Sequence, residues 1–286
     1  MTHEGAPPVE PVWRAPLGWR GRMDLWRQGG RRVSSGWCAY DDITAELSAH
    51  GIEVVSHTID VAGFWRYVEQ VGYRSSSYWD GGRARAGTEK WLEHYVSLEL
   101  TKPARGEVFV DIASCHSPFP DILRERWGCS TYRQDLLYPR GIEGDRIGGN
   151  ASSLPVADGF ADGLTLHCSF EHFEGDHDFL FLREAERVLR RGGRLCILPI
   201  YTNRRYCIQT DPAAWQTRRP TLERDATICI AEGWGEVHGR FYDPGHFVSR
   251  VLANAKGMTL RIHRIENYLE VAPDCYLRFA AMFTKQ

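Results

Sequence analysis

No two of the eight cysteines are spaced C-x-x-C, which argues against a zinc knuckle or a thioredoxin-like pair, and no metal is expected. Several sit inside apolar runs, as Cys196 does in RLCILPI, the setting of a buried free thiol in a reducing compartment. No apolar run approaches the ~20 residues that span a bilayer. The N-terminus, MTHEGAPPVEPVW, lacks the basic start and apolar block of a secretory signal. A membrane is therefore not expected as a partner, and the cytoplasm is the expected location. Charge of one sign is also missing. The net charge is −2, so no global field favours nucleic acid. What remains is ordinary globular material: 286 residues, 43% hydrophobic and 25% charged, enough for one large domain or one domain with a cap.

Residues 1–36 alternate Arg14, Arg20, Arg22, Arg27, Arg31 and Arg32 with Trp13, Trp19 and Trp26. Such a segment suits an arm whose tryptophans pack on the main body while its arginines stay solvated; a phosphate or nucleic-acid surface is the alternative. Residues 41–100 read as mostly helical. DDITAELSAHG opens on an Asp cap and stops at Gly51, and VAGFWRYVEQVG carries a helical apolar stripe closed by Gly72. A third helix is expected from Thr88, after a glycine-rich stretch. Residues 1–87 are thus expected to form an arm and helical cap, and residues 88–286 an α/β domain with an insertion at about 201–235. From residue 107 strands and helices alternate: EVFVDIA, PFPDILRERWG, STYRQDL, GLTLHCSF, HDFLFLREAERVLRRGG and RLCILPIY. That alternation predicts βαβ units and a parallel sheet. Gly192 and Gly193 are expected to close the long helix, and the segments around 258–269 and 275–285 to form an antiparallel hairpin at the sheet edge.

Ligands of doubly wound sheets bind outside the carboxyl ends of the strands. Asp111 and the turn Ala113–Ser117 converge there with Asp135 and with the segment GGNASSLPVADGFAD at 148–162. Asp135 lies about 20 residues beyond the first strand, where a ribose-binding acid is expected. Asp111 also suits a cap for the helix that begins after Pro118.

The stretch GGNASSLPVADGFADGLTLHCSFEHFEGDHDFLFLREAERVLRRGGRLCILP resembles the central block of class I S-adenosylmethionine-dependent methyltransferases of the type 11-like kind. Its pieces are Asn150, Leu154–Pro155, Phe160 to Asp162, Glu171–His172–Phe173 and Arg183 to Gly193, in the family's order. The resemblance covers roughly residues 88–200. It implies a Rossmann-like, doubly wound, mostly parallel seven-stranded sheet, with the N-terminal helical cap added to it. The family's first motif, Asp-x-Gly-x-Gly-x-Gly, departs here: its glycine positions hold Ala113, Cys115 and Ser117.

The resemblance further implies S-adenosyl-L-methionine as cofactor. Asp111 would hold the turn near the methionine amino group, and Ala113, Ser114 and Ser117 would line the methionine portion. Asp135 would accept the ribose hydroxyls, Asn150 and Ala151 would flank the adenine, and His167 would face the sulfonium. A base, if the acceptor needs one, is sought among His172 and His167. The expected function is O- or N-methylation of a small-molecule acceptor such as a sugar or secondary metabolite. The rival is a methyltransferase-fold binding or scaffold protein without catalysis. Nucleic acid is the least favoured partner, and a homodimer is compatible with the sequence. Arg204, Arg205, Arg218 and Arg219 in the insertion suit either an anion site or a solvated surface.

Overall fold

The computed structural model describes residues 13–14, 40–73, 84–216, 218–273 and 275–286. Most of the basic and aromatic arm, Cys38 and the stretch 74–83 lie outside the described residues.

Buried strands organise the chain. Strand β3 (Val108–Ile112) and β7 (Ala161–His167) are covered on both faces, which their near-continuous apolar sequence requires. They pair in parallel at the centre of the sheet. On one side of them lie β4 (Ser130–Asp135), β6 (Arg146–Gly148) and β5 (Gly141–Glu143); on the other lie β8 (Leu189–Leu198), β13 (Phe279–Lys285), β12 (Met258–Ile265) and β2 (Glu53–His57). The order is β2-β12-β13-β8-β7-β3-β4-β6-β5. Strands β6, β4, β3, β7 and β8 run parallel, while β13 runs antiparallel to both β8 and β12. At the centre, Gly163 in β7 is dictated by close packing, since a Cβ there would fall 2.1 Å from the Phe109 ring of β3.

Helices cover both faces. On one face, α1 (Tyr40–Ala49), α5 (His177–Val188) and the helical turns at 244–254 contribute Ile43, Leu47, Phe181, Leu182, Ala185, Phe247 and Val251. On the other, α2 (Val61–Val71), α3 (Ala84–Thr101) and α4 (Phe119–Ile122, continued by a π turn at Leu123–Trp127) contribute Phe64, Val68, Leu92, Val96, Phe119 and Leu123. The result is the expected α/β fold with a mostly parallel sheet.

Four expectations change. The sheet has nine strands rather than seven: β2 is added beyond β12, and the β5–β6 hairpin closes the opposite edge. Because β2 flanks it, the β12–β13 hairpin is not the sheet edge, while the segment 41–100 is otherwise helical, as expected, in its described residues. Helix α3 begins at Ala84, four residues before Thr88. Helix α5 ends at Val188, and Gly192 and Gly193 fall inside β8 rather than at a helix cap. Gly192 has φ +75° beside a register shift, so the glycine allows a bulge in the strand.

The insertion forms a small second sheet. Strand β9 (Cys207–Thr210) lies between β10 (Thr227–Ile230), parallel to it, and β11 (Gly239–Phe241), antiparallel to it and just beyond the expected insertion, and Trp13–Arg14 (β1) runs parallel to β10. Arg204 pairs with Asp42, Arg218 with Glu174, and Arg219 lies over the Trp215 ring. These three arginines of the insertion are engaged by the protein's own surface.

Candidate functional site

The turn after β3 keeps the backbone of a glycine loop without its glycines. Ala113 has φ +50° and Cys115 φ +49°, the left-handed region that side chains disfavour by roughly 1–2 kcal/mol per residue. Hydrogen bonds from β4 hold it there. The Ser114 amide donates to the Gln134 carbonyl at 2.9 Å, the Ala113 amide to Gln134 Oε1 at 3.2 Å, and the Cys115 amide to Asp135 Oδ2 at 2.8 Å. Gln134, almost fully buried, also donates from Nε2 to the Gly149 carbonyl at 2.6 Å, tying the turn to the loop that carries Asn150. Cys115 and His116 are exposed. Replacing Cys115 by glycine is expected to raise stability by up to about 1 kcal/mol, the strain relieved less the added freedom of the unfolded chain. A higher urea midpoint at unchanged slope is the measurement.

Asp111 does not cap the following helix. Its buried carboxylate accepts from Ser114 Oγ at 2.8 Å, Thr165 Oγ1 at 2.8 Å and His167 Nδ1 at 3.0 Å. The first-turn amide of Phe119 is met instead by Ser117 Oγ at 3.2 Å. Ser117 Oγ also lies 3.4 Å from His94 Nε2. Asp135 accepts the Leu137 amide on Oδ1 at 3.0 Å beside its bond to Cys115. A carboxylate has about four acceptor positions, so two stay open for a vicinal diol. Asn150 Oδ1 accepts the Ser152 amide and hydroxyl at 2.9 and 2.7 Å, forming an Asx turn, and Ala151 is buried beside it. The structure thus brings Asp111, Ala113, Ser114, Ser117, Asp135 and His167 together around one turn, with Asn150 and Ala151 joined to it through Gln134 and Gly149.

His172 stands apart from that group. Its Nδ1 meets the backbone carbonyl of His238, and its ring stacks on Trp234 at 6.0 Å. His172 Nε2 lies 3.6 Å from Glu171 Oε1. The residue links the Glu-His-Phe turn to the insertion. His238 is buried, donates from Nδ1 to the Glu171 carbonyl, and has its pKa lowered to about 3, chiefly by burial and then by Arg240.

Facing the carboxyl end of β7 is a buried polar layer that residue patterning alone did not single out as a site. Helix α3 contributes Glu89, Lys90, Glu93 and His94, none more than 5% exposed. Lys90 Nζ donates to both Glu93 oxygens at 3.0 Å. His94 packs edge-on against His167 at 4.7 Å, and burial, followed by the nearness of His167, pushes its pKa well down. Cys168 Sγ reaches Glu171 Oε1 at 3.3 Å and the Tyr201 hydroxyl at 3.3 Å. Burial pushes the Cys168 thiol up to about 12, so it stays protonated. Four atoms of this region have no hydrogen-bond partner among the described residues: Glu89 Oε1, His167 Nε2, Ser169 Oγ and Glu171 Oε2. A signal for the layer was present in the sequence, since EKWLEH places Glu89 with Glu93 and Lys90 with His94 at i,i+4 on a helix whose neighbours are apolar.

Burial, followed by the Glu93 charge, pushes the Glu89 carboxyl up to about 8. Between the ordinary glutamate value and about 8, the folded protein keeps a proton that the unfolded chain has released. Stability therefore falls as pH rises through that window. Thermal melts from pH 5 to 8 are expected to show a decline that Glu89→Gln flattens.

The site lies at the carboxyl ends of parallel strands in a doubly wound α/β domain, the place and geometry of a nucleotide-type ligand site. Residues 134–197 match the family model described as a methyltransferase domain. That matched segment is similar to a methyltransferase domain and falls within the part of the chain whose sequence resembles the class I S-adenosylmethionine-dependent kind. No curated protein matches the chain. It is similar to the solved Burkholderia thailandensis 1,6-didemethyltoxoflavin-N1-methyltransferase, which has 1,6-didemethyltoxoflavin and S-adenosylhomocysteine bound: 16% identity over 79% of this chain and 88% of that one, TM-score 0.41. It is also similar to a SAM-dependent methyltransferase from Aquifex aeolicus, at 13% identity over 68% and 92% of the two chains, TM-score 0.41. With a methyltransferase from an antibiotic biosynthesis pathway of Anabaena variabilis, it shares 18% identity over 38% of this chain and 46% of that one, TM-score 0.32. The chain thus spans under half the length of that last protein.

Proposed function

We propose that the protein binds S-adenosyl-L-methionine at the β3–β4 strand ends and transfers its methyl group to a small-molecule acceptor. The observation that carries this reading is the turn itself. Ala113 and Cys115 hold left-handed backbone where the family has glycine, and an Asp135 oxygen fixes the second of them. A strained turn kept in place by two strands' worth of hydrogen bonds suits retained ligand contact better than a relic loop. The residues present fit the cofactor. Asp135 has acceptor positions for the ribose hydroxyls, Asp111 stands under the methionine portion, and Asn150 and Ala151 sit where the adenine would lie.

Bound there, the sulfonium supplies an activated methyl group, so the protein's work is alignment, exclusion of water and, for a protonated acceptor, proton removal. His167 is the better placed of the two candidate histidines. Its Nδ1 faces a carboxylate, which can only accept, so Nδ1 carries the proton and Nε2 holds the lone pair. That Nε2 is buried and unpartnered among the described residues, as a base awaiting substrate would be.

A calorimetric titration with S-adenosylhomocysteine tests the reading. A dissociation constant on the order of micromolar is expected, about −8 kcal/mol. A well-folded protein with no detectable binding would leave the scaffold reading in its place.

A further inference from the structure

The cofactor turn and Asp135 leave unused a second set of ionisable groups on the same strand ends. We infer that the layer formed by Glu89 and Glu93 of α3 with His167, Ser169 and Glu171 at the end of β7 is the acceptor subsite, and that it selects an acceptor presenting an amine. This rests on the methyl-transfer reading above.

The argument begins with unmet hydrogen bonds. A buried polar atom left without a partner costs roughly 1–3 kcal/mol, and more when the group is charged. Four such atoms gather here: Glu89 Oε1, His167 Nε2, Ser169 Oγ and Glu171 Oε2. Their residues are 8% exposed or less, His167 being 4% exposed at its side chain. They act on one another electrostatically. Glu93 feels His167 and Glu171, Cys168 feels Glu171 and Glu93, and Tyr276 feels Glu93 and Glu89. Glu89, Glu93, His167 and Glu171 are therefore linked by a chain of close electrostatic contacts, and Ser169 lies beside them in the sequence, between Cys168 and Glu171.

The chemistry of these atoms is one-sided. An ionised carboxylate only accepts, and Asp111 fixes the His167 tautomer so that Nε2 also accepts. Of the four atoms, His167 Nε2 and Glu171 Oε2 accept, the Ser169 hydroxyl has a hydrogen to give, and Glu89, whose carboxyl burial holds protonated, becomes a second carboxylate acceptor when a cation is bound beside it. The cation within the layer, Lys90, is bound to both oxygens of Glu93. A ligand that fits must bring donors and positive charge, which describes an ammonium group. A phosphate or carboxylate would meet like charge on buried groups. A lone hydroxyl offers one hydrogen to several acceptors.

The surroundings suit a cation as well. The Tyr201 and Tyr276 rings stack at 6.3 Å, and both hydroxyls reach the Cys168 thiol, at 3.3 and 3.8 Å. Aromatic faces near a desolvated cation attract it. The raised pKa of Glu89 points the same way, because a bound cation would relieve the burial and the Glu93 repulsion that raise it.

The test uses the full chain saturated with S-adenosylhomocysteine and three probes of matched shape: 2-phenylethylamine, 2-phenylethanol and 3-phenylpropionate. Calorimetry is expected to show the amine binding at least tenfold more tightly than the alcohol, with the carboxylate weakest. In Glu171→Gln the preference for amine over alcohol should shrink at least fivefold, while the S-adenosylhomocysteine constant stays within twofold. Glu89→Gln should shrink the preference in the same direction. Equal binding of amine and alcohol would overturn the inference, as would tightest binding of the carboxylate, no amine binding to the homocysteine-loaded protein, or a preference untouched by both variants. If a variant fails to fold, the wild-type order of the three probes decides. Failure of the wild type to bind S-adenosylhomocysteine is a separate result, which strikes the methyl-transfer reading itself.

Discussion

Asp135→Ala is expected to weaken S-adenosylhomocysteine binding roughly 100- to 10,000-fold. Two ribose hydroxyls donating to one carboxylate make charge-assisted hydrogen bonds, worth about 1.5–3 kcal/mol each, and every 1.4 kcal/mol is tenfold in affinity. The same change frees the amides of Cys115 and Leu137, so the left-handed turn loses one of the bonds that holds it. Asp135→Asn separates the two effects. It keeps an oxygen that can accept the Cys115 amide but presents an amide donor to the diol. If Asn binds the nucleoside product as weakly as Ala while melting like the wild type, ribose contact dominates. If Asn restores binding, Asp135 acts by holding the turn. Isothermal titration with a thermal melt on each variant gives both readouts. An Asp135→Ala protein that binds within threefold of wild type would remove Asp135 from the ligand site.

Much of this site was legible because the relevant residues lie on short, strongly patterned elements. VFVD could only be a buried strand, and strands that alternate with helices place their carboxyl ends together, so Asp111 and Asp135 were found from order and polarity alone. What escaped was set by long-range packing. Glu53–His57 is five residues between two helices, too short for its period to speak, and it becomes a strand only because β12 offers an open edge. Gln134 reads as an ordinary strand residue, yet its amide bridges Ala113 and Gly149. RRGG looks like a helix end, but with Gly192 left-handed the chain enters β8 directly after Val188. The polar residues of α3 look like a solvated face until β7 and β8 cover them. The i,i+4 pairs of EKWLEH hinted at a polar layer, but its burial depends on residues some 80 positions away, which that local pattern does not carry.

The remaining large effect lies in the joint between the nine-stranded sheet's helical cover and the small second sheet. Asp178, fully buried at the start of α5, accepts from Arg250 Nε at 2.9 Å, Arg250 Nη2 at 2.7 Å and the Tyr242 hydroxyl at 2.8 Å, and lies 3.0 Å from Arg240 Nη1. Arg240, on β11 and also fully buried, donates to the Phe173 and Gly175 carbonyls at 2.6 and 2.8 Å and to Glu223 at 2.6 Å. Asp178 thus serves two cations, one of which also pairs with Glu223 and grips the loop that follows Glu171. Removing Asp178 leaves the buried Arg240 with Glu223 as its remaining carboxylate and takes from Arg250 its closest one. Breaking a buried ion pair from one side typically costs about 3–5 kcal/mol. At the roughly 2–4 °C per kcal/mol expected of a large domain, Asp178→Ala should melt on the order of 10 °C below wild type. Arg240→Met should cost less, because Asp178 keeps Arg250 and Tyr242. The double variant should fall well short of the summed single losses, since each single change creates the unpaired charge that the second removes. Additive losses would mean that the pair is solvated in solution and that the insertion is held by its apolar contacts instead. Because Arg240 also fixes the carbonyls of Phe173 and Gly175, Arg240→Met is further expected to erode the amine preference assigned to Glu171 while leaving S-adenosylhomocysteine binding at 10 °C unchanged.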